Sequence, residues 1–174
     1  MDFSNVSDYP VLRRLPATYC TEIGRIIHKF AFCEMMLRTI TYNLMKIGKQ
    51  VGRIAVRQPR VVEHITMIQD LEHLNSIDLK IDWKKLKEAL KECESYRDRL
   101  SHGVWLDHPD STTPVLQDFS YAYVSGPRGP RKARIDPLAI AVQIKQLRNI
   151  SANLDELGNI LLTVEERAAA LSSP

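Results

Sequence analysis

Cysteine, metal-ligand clusters and long apolar runs are what this 174-residue chain has least of. Its three cysteines, Cys20, Cys33 and Cys93, are an odd number at wide spacings with no C-x-x-C pair. That pattern argues against a disulfide framework and against a structural zinc site, and each thiol reads as a small buried apolar side chain. His28, His64, His73 and His108 show no ligand spacing, His64 and His73 standing nine apart, so no metal and no cofactor is expected. No run approaches the ~18 consecutive apolar residues that span a bilayer, and no membrane partner is expected. The opening MDFSNVSDYP carries acids and lacks the apolar core of a signal peptide. A reducing cytoplasm is the expected setting. Internal repeats and low-complexity tracts are absent from the sequence as well.

What is present is an ordinary soluble composition, 44% hydrophobic and 26% charged. A chain of this length can bury most of its apolar surface as one domain without staples. The formal net charge of +3 permits contact with nucleic acid but does not demand it, because local clustering counts for more than the sum.

Hydrophobic periodicity organises the rest. Residues 1–17, punctuated by Pro10 and Pro16, read as an irregular arm. A first long helix is predicted over about 18–48, with Thr18 or Thr21 as its N-cap and Gly48 as its stop. Ile23, Ile26, Ile27, Phe30, Cys33, Leu37, Ile40, Leu44 and Ile47 recur there at the helical period. A second helix is predicted over about 60–76 on Val61, Val62, Ile65, Ile68, Leu71 and Leu74. The third runs from Asp82, a good N-cap, to Gly103, a good stop. Residues 104–135 then hold Pro109, Pro114, Pro127 and Pro130 among β-type runs. This stretch reads as a small β-hairpin, 104–106 against 115–123, closed by a polar turn at 125–129. The last helix is predicted to open at Asp136 and Pro137 and to carry Ile140, Ile144, Leu147, Ile150, Leu154, Leu157, Leu161, Val164 and Ala168 along one side. A loose tail follows at 171–174. The expected fold is mostly α: an antiparallel bundle of four or so long helices, with the hairpin inserted before the last one.

One position in the third helix breaks the pattern. Its stripe is Trp83, Leu86, Leu90, Cys93, Arg97, Leu100 and Val104, so an arginine stands where an apolar residue belongs. An unpartnered guanidinium costs several kcal/mol to bury. Five residues on comes His102, the residue type that titrates nearest neutrality and sits well as imidazolium at a helix C-terminus. On a regular helix five residues mean about 7.5 Å of rise and about 140° of rotation. The two side chains therefore diverge unless the helix end unwinds, for which Gly103 supplies the place.

The segment Tyr96–Arg97–Asp98–Arg99–Leu100–Ser101–His102–Gly103–Val104–Trp105 resembles the signature of the HEPN superfamily (higher eukaryotes and prokaryotes nucleotide-binding domains). That signature is an arginine, often followed by a polar residue, and then a histidine late in a helix. Here it reads R-x4-H with Asp98 in the polar slot, and the long first helix with Glu34 in its stripe is similar too. The resemblance covers roughly residues 18–165 and implies a metal-independent endoribonuclease working as a homodimer. Two copies of the motif would face one composite cleft. Arg97 would stabilise the charge on the phosphate in flight, and His102 would serve as general base or general acid. Asp98 would orient either of them. The implied substrate is RNA and not DNA, the implied products a 2′,3′-cyclic phosphate and a 5′-hydroxyl. A toxin or phage-defence role, with an antitoxin protein as further partner, belongs to the same resemblance.

Each residue also has a plainer reading. Arg97 can be one half of a structural ion pair with Glu34, His102 a C-capping side chain, and Asp98 a solvated acid. Arg128, Arg131, Lys132 and Arg134 in the proline- and glycine-rich turn can grip RNA phosphates or stand as a solvated basic loop. Tyr121 and Tyr123 can stack on bases or pack the hairpin. Two functions from other classes stay open: a non-catalytic module binding RNA, a nucleotide or a partner protein, and a helical adaptor docking through the 147–168 stripe.

Overall fold

The structure is a computed structural model that describes residues 15–56, 60–106, 113–117, 125–126, 129–130 and 139–172. The described residues form five helices and two small antiparallel sheets, so the chain is mostly helical. The helices are α1 (Ala17–Met45), α2 (Lys49–Ala55), α3 (Val61–Asn75), α4 (Trp83–His102) and α5 (Ile144–Ser172). The strands are β1 (Val104–Leu106), β2 (Val115–Gln117), β3 (Ser125–Gly126), β4 (Gly129–Pro130) and β5 (Ala139–Ala141). None of the described helices is long and apolar enough to cross a membrane.

The periodic stripes became the buried faces. Ile26, Phe30, Cys33, Leu37, Ile40 and Leu44 of α1 are all at most 2% exposed, and the helix that carries them is continuous over 29 residues. Neither expected threonine caps it. The amides of Tyr19 and Cys20 both turn back to the Pro16 carbonyl, and Thr21 Oγ1 donates within the helix to the Ala17 carbonyl. The C-terminus comes at Met45, before the expected Gly48, because Lys46 turns left-handed at φ 55°. Ile47 N then reaches the Tyr42 carbonyl and Lys46 N the Asn43 carbonyl, which satisfies the last turn. α3 ends the same way at Ser76, φ 52°, with Ile77 N on the Glu72 carbonyl. At the start of α4, Asp82 is the expected cap, its Oδ1 accepting from Lys85 N at 3.1 Å.

The short α2 lies between the two helices that the periodicity predicts over 18–48 and 60–76. It forms because Gly52 lets it lie flush on α1. A Cβ at Gly52 would stand 2.6 Å from a ring carbon of Tyr42, itself only 7% exposed. Gly48, read as a stop for α1, is instead the N-cap of α2.

The insertion differs from expectation on two counts. β1 does pair with β2, Trp105 opposite Leu116, but β2 has a second partner in β5, giving the order β1-β2-β5. The 125–129 turn does not close that hairpin; it joins β3 to β4 in a separate ladder. The last helix therefore cannot open at Asp136, which together with Pro137 lies outside the described residues, because 139–141 are strand. Val115 and Leu116 of β2 are buried, and a buried strand needs ladder partners on both edges. α5 begins at Ile144, where Gln146 Oε1 accepts from Gln143 N at 2.9 Å.

Contacts divide the chain into two compact units, one of residues 1–26 with 95–150 and one of residues 27–94 with 151–174. In the first, Tyr19 donates to the Val142 carbonyl at 3.0 Å, and Arg148 Nε lies 3.6 Å from the Glu22 carboxylate. In the second, Lys29 bonds Ser151 Oγ at 2.8 Å and Asp155 at 2.6 Å, and Asn43 bonds Glu165 at 3.0 Å. In both units the partner on α5 advances as the residue on α1 advances, so the two helices run parallel. The expected antiparallel arrangement holds for α3 and α4, where Trp83 Nε1 donates to Glu72 and Lys87 to Thr66. It does not hold for α1 and α5, because α4 returns the chain to the first unit before α5 begins there.

Two glycine substitutions should separate close approach from helix propensity. Gly52→Ala forces a methyl into the Tyr42 ring and should cost about 1–3 kcal/mol. Gly24→Ala adds a methyl where no atom lies within 4 Å in a helix interior, and should add up to about 1 kcal/mol. Thermal unfolding of the two variants beside the parent checks both signs.

Candidate functional site

The R-x4-H segment occupies the last two turns of α4. The stripe below it is deeply buried, Leu86 at 4% and Leu90 at 0%, and Leu100 above it is at 6%. Arg97 interrupts that face with its side chain 26% exposed. Nη1 lies 2.7 Å from Oδ1 of the adjacent Asp98. Neighbours in a helix point about 100° apart, so this ion pair draws the guanidinium round the outer surface of α4 toward the acid.

His102 is the last helical residue and is exposed, as is Ser101. The helix does not unwind before it. Gly103 N donates to the Arg99 carbonyl at 2.8 Å, which closes a regular turn past the histidine. Arg97 and His102 thus keep their helical separation, and one α4 alone does not converge them. Just beyond, β1 ties down the helix end: the Trp105 ring meets Tyr19 edge-on at 6.0 Å, and Leu106 is buried with Val115.

A cleft opens beside the end of α4. Tyr96, Arg99 and Leu100 line it with Leu116, Val142, Gln146, Leu147 and Ile150. Arg97, Asp98 and His102 are not among the residues that line it.

Glu34 is half-buried on α1. Arg128, Arg131, Lys132, Arg134, Tyr121, Tyr123 and His108 lie outside the described residues. Two of the cysteines are buried as expected: burial pushes the Cys33 thiol up to about 12 and the Cys93 thiol up to about 11, so both are inert as nucleophiles. Cys20 is exposed, contrary to expectation, because it follows the open start of α1 rather than its stripe.

Sequence reading passed over His64. It stands one residue before Ile65 on α3, on the buried face with Val61 and Ile68, and is 1% exposed. Neither ring nitrogen has a hydrogen-bond partner among the described residues, and Nε of Arg38 on α1 is likewise buried and unpartnered. Burial, seconded by the Arg38 charge and only partly opposed by Glu63, pushes the imidazole down to about 4. The helical spacing from Val61 was the available signal for its burial.

No family model, curated protein or solved structure matches this chain.

The depressed His64 makes acid sensitivity a measurable property. In the folded protein the ring stays neutral down to about 4, whereas the unfolded chain protonates it near 6.5. Its stabilising contribution is complete above pH 6.5 and is lost as pH falls toward 4, amounting to about 3 kcal/mol. Denaturant midpoints at pH 7.5, 5.5 and 4.5 should fall steeply for the parent and less for His64→Leu. Equal slopes would show that His64 does not carry the acid limb.

Proposed function

We propose that this chain is a HEPN-type endoribonuclease that needs no metal and works as a homodimer through Arg97, Asp98 and His102. The observation that carries the reading is the placement of the motif: a half-buried arginine already paired with Asp98, and an exposed histidine at the end of the same helix. The long helices α1, α3, α4 and α5 are the counterparts of that family's helical bundle. Because a single α4 holds Arg97 and His102 apart, the composite centre takes groups from two copies related by a two-fold axis near α4. One His102 removes the proton from a ribose 2′-hydroxyl, and the 2′-oxygen attacks phosphorus. As the P–O5′ bond breaks, the other His102 gives a proton to the leaving 5′-oxygen. Arg97 donates to the non-bridging oxygens of the pentacoordinate phosphorane, where a planar fork matches the developing charge. Asp98 keeps that fork oriented between turnovers. A toxin or phage-defence setting, with an antitoxin protein as partner and the cytoplasm as compartment, completes the reading.

A second reading has an observation of its own. The Arg97–Asp98 pair is satisfied within one chain, and His102 lines no part of the cleft beside α4. Both features suit a non-catalytic module that binds RNA, a nucleotide or a partner protein.

Cleavage separates the two. The purified protein should run as a dimer in light scattering, and should cut single-stranded RNA in excess chelator while leaving DNA intact, since DNA lacks the nucleophile. His102→Ala should lower the rate by roughly two to four orders of magnitude with little change in melting temperature, because an exposed helix-end side chain buries little. Arg97→Lys keeps the charge but loses the fork, and should fail as well. Full activity in His102→Ala, or equal cutting of DNA, overturns the ribonuclease reading.

A further inference from the structure

The longest stretch without acid in the described part of the chain surrounds α2. From Met35 to Val62 there is no Asp or Glu, and there are six Lys or Arg, at 38, 46, 49, 53, 57 and 60. Three of these cations sit together at the corner where α1 hands over to α2. Lys46 makes the left-handed turn, and Lys49 and Arg53 lie on α2 four residues apart, so their side chains rise from adjacent turns of one flank. All three are exposed, and among the described residues none of them is in an ion pair.

The position of this flank is set by the core. Gly52 lies against the Tyr42 ring, so α2 has one orientation on α1, and at helical spacing Lys49 and Arg53 stand between the buried Gly52 side and the outward Ile54. The nearest acid in sequence after the corner, Glu63, is engaged with Arg60 N at 2.9 Å. Ordinary surfaces interleave both signs of charge. The acid placed nearest this end of α1, Glu165 of α5, is engaged by Asn43 Nδ2 at 3.0 Å, and a fixed row of cations from a stretch of sequence without Asp or Glu is the electrostatic counterpart of a polyanion backbone. A lipid surface fits less well, because Val51 and Ile54 are the large aliphatic side chains that this seven-residue helix exposes, and interfacial helices insert a broad apolar face.

We propose that the α1–α2 corner, with Lys46, Lys49 and Arg53, binds the phosphate backbone of single-stranded RNA. The proposal rests on the ribonuclease reading for its ligand, and it names a surface outside the R-x4-H motif that grips the substrate without reading its sequence.

The test is fluorescence anisotropy with a labelled single-stranded RNA, in the His102→Ala background so that the probe is not cut. The triple variant Lys46→Gln, Lys49→Gln, Arg53→Gln should bind about tenfold or more weakly at low salt. Its log–log salt slope should be shallower by about 2, the loss for three phosphate contacts on a single strand. A triple of equal charge change elsewhere, Lys84→Gln, Lys91→Gln, Lys145→Gln, should bind like the parent. In the otherwise unaltered enzyme the corner variant should raise KM and leave kcat unchanged. If the parent binds RNA and both triples bind it equally well, the corner is not the binding surface, while the ribonuclease reading stands. If both triples weaken binding alike, only net charge acts and the corner is again excluded. If the protein binds no RNA but sediments with phosphatidylserine vesicles, the surface is a lipid contact and both readings fall.

Discussion

Everything in this molecule hangs on the burial of one face of α1 against α5. The α1 residues between Ile26 and Leu44 repeat in strict alternating steps and are nearly sealed from solvent. Their counterparts on α5, from Leu147 to Ala168, do the same. Each fully buried aliphatic side chain of this size contributes about 1.5–3 kcal/mol, so the two stripes outweigh any of the polar contacts at their margins. Polar contacts act as registers instead. Tyr19, Lys29, Asn43 and their partners fix the order in which the two helices meet, and that order is parallel.

A parallel pair of first and last helices has a topological consequence. The chain must come back between them: α4 carries it from the second unit into the first, where the last strand of the β1-β2-β5 sheet delivers it to Gln143 and α5. The sheet also holds the end of α4 through β1. The chemistry-bearing segment is therefore clamped on both sides: by the α4 stripe below and by a strand one residue past Gly103 above. That clamp explains why α4 stays regular to His102, and why convergence of Arg97 with His102 falls to a second copy of the chain in the reading we favour.

Charge is handled in opposite ways at the interior and the exterior. His64 is kept neutral by its surroundings, with Arg38 close enough to reinforce that state. At the α1–α2 corner the cations are held out in water by a glycine contact that leaves α2 no other way to lie. The first arrangement makes stability depend on pH; the second leaves a basic surface for a polyanionic partner.

Much of this was legible from the sequence alone. Amphipathic periodicity is a local property, so the existence of four long helices, their approximate limits and most of their buried residues followed from spacing. Asp82 as a cap, β1 with β2 as partners and the outlying Arg97 were legible for the same reason. Tertiary structure decided what depends on residues far apart in the chain. The helical pattern around Asp136 gave way to a strand at 139–141 because β2 needed a second partner, which no local rule announces. The ends of α1 and α3 fell at Lys46 and Ser76, which adopt a backbone conformation usually left to glycine. α2 exists because a ring from α1 meets a glycine ten residues later, and His64 is buried because of what packs over α3. The direction of α5 along α1 was equally out of reach, since a stripe on a helix is the same stripe whichever way its partner runs.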